Sequence, residues 1–235
     1  MTVKSLDEIR QNVLSVQERI REAAAECGRD PSEIRLMAVT KHNDAERVNA
    51  AVSAGACLLG ENRAQEFLEK YEHYNRKNCE IHFIGSLQTN KVRGIIDKVD
   101  LIQSVDRIGL AEEIDRCAAR CGRVMPVLVE VNIGREQTKS GVLPNELHSF
   151  IRRIACFSHL TVQGLMAIPP QQEFPERNEP YFEQMYRDFI DIEAQNIDNV
   201  SMRILSMGMT DDFPYAIRHG STMIRVGRAI FGERL

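Results

Sequence analysis

Apolar residues follow two rhythms along this chain. From Ser5 to Cys27, Leu6, Ile9, Val13, Val16 and Ile20 recur at spacings of three and four, with Ser5 as N-cap, Glu8 three residues later and Gly28 as a stop. This predicts an amphipathic leading helix over 5–27. Beyond it, short apolar or β-branched runs alternate with longer stretches of helical period. The runs predict strands at 35–40, 57–60, 81–85, 101–104, 127–132, 160–167, 202–206 and 223–226. The intervening stretches predict helices at 44–54, 64–74, 89–99, 107–121, 144–156, 180–194 and 212–219, mostly opened by Asn, Asp, Thr or Pro. Eight strands across residues 35–232 give one βα unit per roughly 25 residues, the spacing of a (β/α)₈ TIM-type barrel. A doubly wound sheet is the competing topology, but Lys41-His42-Asn43-Asp44 follows the first strand where a Gly-rich turn would stand. No G-x-G-x-x-G or G-x-x-x-x-G-K-[ST] occurs. The Pro-rich and charged segment 169–180 reads as a loop after the sixth strand, so residues 1–235 are expected to form one barrel domain.

Composition narrows the classes. At 235 residues, 43% hydrophobic and 27% charged, the chain has material for a large core and is not disordered. It contains no run long enough to span a membrane, and its first residues lack a secretory signal, so a cytoplasmic protein is expected. A net charge of −4 without Lys/Arg blocks argues against nucleic acid as a partner. The six cysteines are scattered without C-x-x-C and no histidine pair has ligand spacing, which suggests reduced thiols and no metal. The chain has seven lysines, none after Lys139, so each one invites a question.

Chemistry in a barrel collects at the C-terminal ends of its strands. Those ends read Lys41, Glu61-Asn62, Ser86, Ser104, Asn132, Met166, Ser206 to Met209, and Arg225 to Gly227. Lys41 ends the run LMAVTK, so its amine is placed to enter the barrel mouth. Desolvated there, it would offer a neutral amine for a Schiff base, although a lysine turned to solvent is the plainer alternative. The segments LSMGMT (205–210) and GSTMIRVGRAIFG (220–232) offer hydroxyls and bare amides where many barrels bind phosphate. Arg225, between Ile224 and Val226, needs a buried acceptor: Asp211, Asp212 or the ring nitrogen of a cofactor. Together the three features match the contacts of pyridoxal phosphate. Lys91 and Lys139 read as solvated loop residues.

At these residues the sequence resembles the pyridoxal-phosphate homeostasis proteins (the YggS/PROSC family) over essentially its whole length. The motifs are LMAVTK (36–41), GENRAQE (60–66), IHFIGSLQTNK (81–91), VNIGREQTKSG (131–141), GLMAIPP (164–170), LSMGMTDD (205–212) and GSTMIRVGRAIFG (220–232). The resemblance implies the barrel domain of alanine racemase without that enzyme's β-rich second domain, binding pyridoxal 5'-phosphate without an established reaction. It makes Lys41 the aldimine lysine and gives Arg225 to the pyridine nitrogen. Ser206, Gly227 and Arg228 fall to the phosphate through main chain or hydroxyl, and Asn62, Met166 and Met209 to the cofactor's surroundings. Arg228 stands where many members have a hydroxyl residue, and His42-Asn43 where many have Thr-Lys.

An arginine at the pyridine nitrogen keeps it unprotonated and weakens the ring as an electron sink. The racemases add a tyrosine base from their second domain, for which 235 residues leave no length, and the five tyrosines here lie in predicted helices or their flanks. The expectation is a monomeric carrier that buffers pyridoxal phosphate or hands it to apo-enzymes, rather than an enzyme. A slow amino-acid racemase is the alternative, and a barrel using Lys41 as a clamp on a phosphorylated metabolite is a third possibility.

Overall fold

The computed structural model describes residues 4–233. The leading helix α1 (Leu6–Glu26) begins with the anticipated capping box: Ser5 Oγ accepts from the Glu8 N–H at 3.2 Å, and the Glu8 carboxylate accepts from the Ser5 N–H at 2.8 Å. Its Ile9, Val13, Val16 and Ile20 are buried, and the chain leaves it through Gly28 at φ +69°.

Eight parallel strands then close a barrel in sequential order: β1 (Arg35–Val39), β2 (Leu58–Glu61), β3 (Glu80–Phe83), β4 (Leu101–Val105), β5 (Met125–Val131), β6 (Leu160–Ala167), β7 (Val200–Ser206) and β8 (Met223–Val226). The seam is the β1 to β8 pairing, with Met37 opposite Arg225. The outer ring consists of α2 (Ala45–Ser53), α3 (Ala64–Lys70), α4 (Thr89–Ile95), α5 (Ile108–Arg120), α6 (Leu147–Ile154), α7 (Glu179–Glu193), α8 (Phe213–Arg218) and the short α9 (Arg228–Phe231). Helix α1 packs against α2, α8 and α9.

Strand alternation divides the apolar residues in two. Outward positions such as Ala38, Leu59, Phe83 and Ile224 join the main core between strands and helices. Inward positions fill the barrel in small groups, Met37, Leu58 and Met223 in one and Leu101, Leu128 and Met166 in the other, with Ile204 against both.

The element boundaries depart from the predicted ones for local reasons. Strand β3 stops at Phe83 rather than 85, and just beyond it Gly85 packs closely on the segment after β2, where a Cβ would lie 2.0 Å from the Asn62 carbonyl oxygen. Strands β5 and β7 each start two residues early. The stretch 64–74 divides into α3 and a 3₁₀ turn at Tyr71–His73, and α9 has no counterpart in the prediction. Gly164 sits at φ +148° in a β6 to β7 register shift, where a Cβ would fall 1.8 Å from the Ile204 carbonyl oxygen. All six cysteines are free thiols. No described helix is long and apolar enough to cross a membrane, and no described cluster of His, Cys, Asp or Glu could hold a metal.

Candidate cofactor site

Lys41 is partly buried in the turn two residues beyond β1, at the position where continued alternation from the inward Met37 would turn it toward the barrel mouth. The loop that carries it is held from below. His42 adopts φ +63°, uncommon for a residue with a side chain, and its N–H donates to Glu66 Oε1 at 2.7 Å. Lys70 Nζ donates to Glu66 Oε1 at 2.7 Å, to the Asn43 carbonyl at 3.1 Å and to that of Thr40 at 3.3 Å. Asn43 Nδ2 donates to the Lys41 carbonyl at 3.0 Å. Burial pushes the Glu66 carboxyl up, but its bonds from Lys70 and the His42 N–H outweigh this and hold it below the ordinary range. A fixed carboxylate and a fixed ammonium therefore brace the main chain on both sides of Lys41.

Glu61 does not belong to the mouth, contrary to the sequence reading. It is the outward residue at the end of β2, fully buried behind the barrel, where Thr40 Oγ1 donates to it at 2.7 Å and the Tyr74 hydroxyl at 2.5 Å. Burial raises its pKa, opposed by Lys70 at 3.8 Å, and its Oε2 has no hydrogen-bond partner. Asn62, next along, shares the inward side with Leu58 and is partly buried.

Arg225 is 3% exposed and inward. Its acceptors are neither Asp211 nor Asp212: Nη1 donates to Ser206 Oγ at 2.6 Å and Nη2 to the Ala167 carbonyl at 2.8 Å. Burial lowers its pKa to about 10, with Asp212 and Glu130 opposing, so the guanidinium stays charged at neutral pH. The guanidinium carries further N–H donors for another acceptor. Asp212 instead holds the loop after β7, accepting from the Met209 N–H at 2.7 Å and from Asn178 Nδ2 at 2.8 Å. Asp211 pairs with the Arg228 side chain, both about half exposed or more. The Arg228 guanidinium is thus neutralised at the surface.

The expectation that the Ser206 hydroxyl serves a phosphate does not match its placement. The residue is fully buried, and its hydroxyl donates to Gln103 Oε1 at 2.8 Å while accepting from Arg225. The hydroxyl beside α9 belongs to Thr210, whose Oγ1 is 3.4 Å from the Ala229 N–H. In that first turn the Ile230 N–H bonds back to the Gly227 carbonyl at 3.1 Å, and the Arg228 N–H is one of the amides that helix geometry leaves for an outside acceptor. A Cβ on Gly227 would lie 3.4 Å from Val39, so bare backbone lines the seam there. Met166 is fully buried among the inward residues with Leu101 and Leu128, whereas Met209, in the loop after β7, is 37% exposed.

Three inward polar residues were not anticipated: His82, Gln103 and Glu130. Glu130 is the one polar residue of β5, while His82 shares β3 with Glu80 and Gln103 shares β4 with Ser104, so which polar residue faces the interior is legible only once inward positions are known. Glu130 is pushed up to about 7 by burial, aided by Asp106 and opposed by Arg225. Asn132 shapes the loop after β5, donating to the Glu136 carbonyl at 2.9 Å. Lys139 is not simply solvated: it pairs with Glu136 and donates to the Pro169 carbonyl at 3.2 Å. Two surface clefts, of about 360 Å³ beside the start of α5 and about 330 Å³ between α3 and α4, gather no comparable set of groups.

Comparison with known proteins gives the chain a family. The family model described as "Alanine racemase, N-terminal domain" matches residues 5–235. A pyridoxal phosphate homeostasis protein from Aquifex aeolicus is 43% identical over 219 residues, covering 93% of this chain and 95% of that protein. One from Escherichia coli K12 is 37% identical over 235 residues, covering 97% and 98%. The chain belongs to the pyridoxal phosphate homeostasis family. The structure of PipY from Synechococcus elongatus with PLP bound superposes with a TM-score of 0.79 at 32% identity, covering 91% of this chain and all of that one. Alanine racemase from Streptomyces coelicolor, at 20% identity and a TM-score of 0.70, shares the fold, covering 97% of this chain and 59% of the racemase.

Proposed function

We propose that this family member binds pyridoxal 5'-phosphate covalently through Lys41 and serves vitamin B6 homeostasis in the cytoplasm, buffering the cofactor or delivering it to apo-enzymes without turning over a substrate. The observation that carries the reading is a partly buried lysine just after β1, the strand paired with the β8 that holds the buried, charged Arg225, in a chain 32% identical to PipY, whose structure contains PLP. Bound pyridoxal phosphate supplies an aldehyde that an amine captures reversibly and a ring that withdraws electrons. The donor set fits such a group. Lys41 offers the amine, and Arg225 a donor to an unprotonated ring nitrogen. The Arg228 N–H, the Thr210 hydroxyl and bare backbone at Gly227 offer a phosphate cup. In this reading Ser206 orients Arg225 rather than contacting phosphate, Met166 forms the floor, and Asn62 and Met209 flank the cofactor.

Two features favour carriage over catalysis. A cationic donor at the ring nitrogen opposes its protonation and so disfavours carbanion chemistry. None of the five tyrosines is placed at the mouth. Tyr74 is bonded to Glu61 behind the barrel, Tyr71 packs edge-on to Phe67, Tyr186 lies over Gly220, Tyr215 lies beneath Arg218, and Tyr181 packs on the outer core.

Titration with pyridoxal phosphate tests the reading. After unbound cofactor is removed by desalting, the wild type should retain about one equivalent and remain yellow, and Lys41→Ala should not; a desalted wild type that is colourless after incubation with excess cofactor would overturn it. Deuterium exchange at the α-carbon of a panel of amino acids should be absent, and steady exchange would favour the racemase alternative.

A further inference from the structure

A continuous line of polar side chains runs through the barrel, from its N-terminal rim to Arg225. At the rim, Arg35 pairs with Glu80 at 2.9 Å. His82 Nε2 lies 3.3 Å from the same carboxylate oxygen, and its Nδ1 lies 3.0 Å from Gln103 Nε2. Gln103 Oε1 accepts from the Ser206 hydroxyl at 2.8 Å, and Ser206 Oγ accepts from Arg225 Nη1 at 2.6 Å. His82, Gln103 and Ser206 are at most 1% exposed, and none of their side-chain polar atoms is among the buried groups lacking a partner.

Donor and acceptor roles allow one polarity along this line. Hydrogen bonding to His82 keeps the Glu80 carboxyl down at about 2, against the effect of burial and with help from Arg35, so it is an obligate acceptor. His82 must then carry its proton on Nε2, and burial keeps the imidazole neutral by lowering its pKa. Its Nδ1 lone pair faces the Gln103 amide and requires the NH₂ there, which turns Oε1 toward Ser206. Ser206 donates to that oxygen and keeps a lone pair for Arg225. With the amide turned over, Gln103 and Arg225 would both donate to Ser206 Oγ, and His82 Nδ1 would face an oxygen; two buried groups would lose their bonds.

We propose that Gln103 and His82 are positioning residues for Arg225, transmitting a fixed hydrogen-bond polarity through Ser206 so that the guanidinium keeps the orientation in which it meets the ring nitrogen of the cofactor. The inference rests on the assignment of Arg225 to that nitrogen. Salt bridges do not perform this task, because the only ionised groups on the line are at its ends, and the neutral links between them avoid burying an unpaired charge.

The test uses the full chain loaded with pyridoxal phosphate carrying ¹⁵N in its ring. The ring resonance, the visible absorbance maximum and the dissociation constant are read beside borohydride trapping on Lys41, in the wild type and in Gln103→Leu, His82→Leu and His82→Asn. Asparagine keeps an acceptor near the position of Nδ1, so His82→Asn should share the wild-type ring resonance. Gln103→Leu and His82→Leu should displace it and weaken binding about tenfold, the scale of one lost hydrogen bond, while Lys41 still traps the cofactor. Should Gln103→Leu not fold, Gln103→Met, of similar length, takes its place with the same expectation. An unmoved resonance in the leucine variants, or His82→Asn behaving as His82→Leu does, overturns the relay and leaves the cofactor reading intact. A wild type that traps nothing overturns both.

Discussion

Replacing Glu130 by glutamine should stabilise the cofactor-free protein at pH 8 and leave it unchanged near pH 4. Burial, with Asp106 adding to it and Arg225 opposing, moves this carboxyl from its usual 4.5 to about 7. Its folded pKa lies above its unfolded one, so its contribution to stability is fully present below about 4.5 and is lost as pH rises through about 7. At 1.36 kcal/mol per pH unit, the loss approaches about 3 kcal/mol. Glutamine has the shape of the protonated side chain and ionises at no pH, so Glu130→Gln should match the wild type at pH 4 and exceed it by up to about 3 kcal/mol at pH 8. Urea unfolding of both proteins at the two pH values measures this, and the midpoint at pH 8 should rise by on the order of 1 M. The difference between proteins cancels every other titrating group. A destabilised variant at pH 8 would refute the reasoning, since it would mean that the Arg225 attraction outweighs burial, and so would a difference independent of pH, since it would mean that folding does not shift the carboxyl at all.

Other substitutions probe the frame of the site. Tyr74→Phe removes one of the donors to the fully buried Glu61 and should lower unfolding free energy by about 1–3 kcal/mol in the same urea assay. Gly164→Ala forces a side chain into φ +148° and against the Ile204 carbonyl; a loss of about 3 kcal/mol or more is expected, seen as a clear fall in midpoint. Arg228→Ala should change pyridoxal phosphate affinity less than about threefold by absorbance titration, because its guanidinium is paired with Asp211 at the surface and the main-chain N–H remains.

The barrel was legible because its signal is periodic. Each inward or outward face repeats along a strand, and each strand is followed by a helical stretch, so Lys41 and Arg225 could be placed from position in the pattern together with the resemblance. What escaped depended on partners far apart in sequence. Ser206 and Gln103 are 103 residues apart, and nothing local to LSMG or LIQS says that their hydroxyl and amide meet. Glu61 was misplaced because a strand's last residue turns inward or outward on a shift of one position, and only the buried Thr40 and Tyr74 show which. The two aspartates were offered to Arg225 on charge alone, and the loop after β7 sorts them differently: Asp211 pairs with Arg228 at the surface and Asp212 ties down the turn.

Borohydride reduction of the protein loaded with pyridoxal phosphate, followed by peptide mass mapping, tests the central claim most directly. A single phosphopyridoxyl label on the peptide containing Lys41, absent from Lys41→Ala, is the predicted result. A label on another lysine, or an unlabelled wild type, would contradict the account.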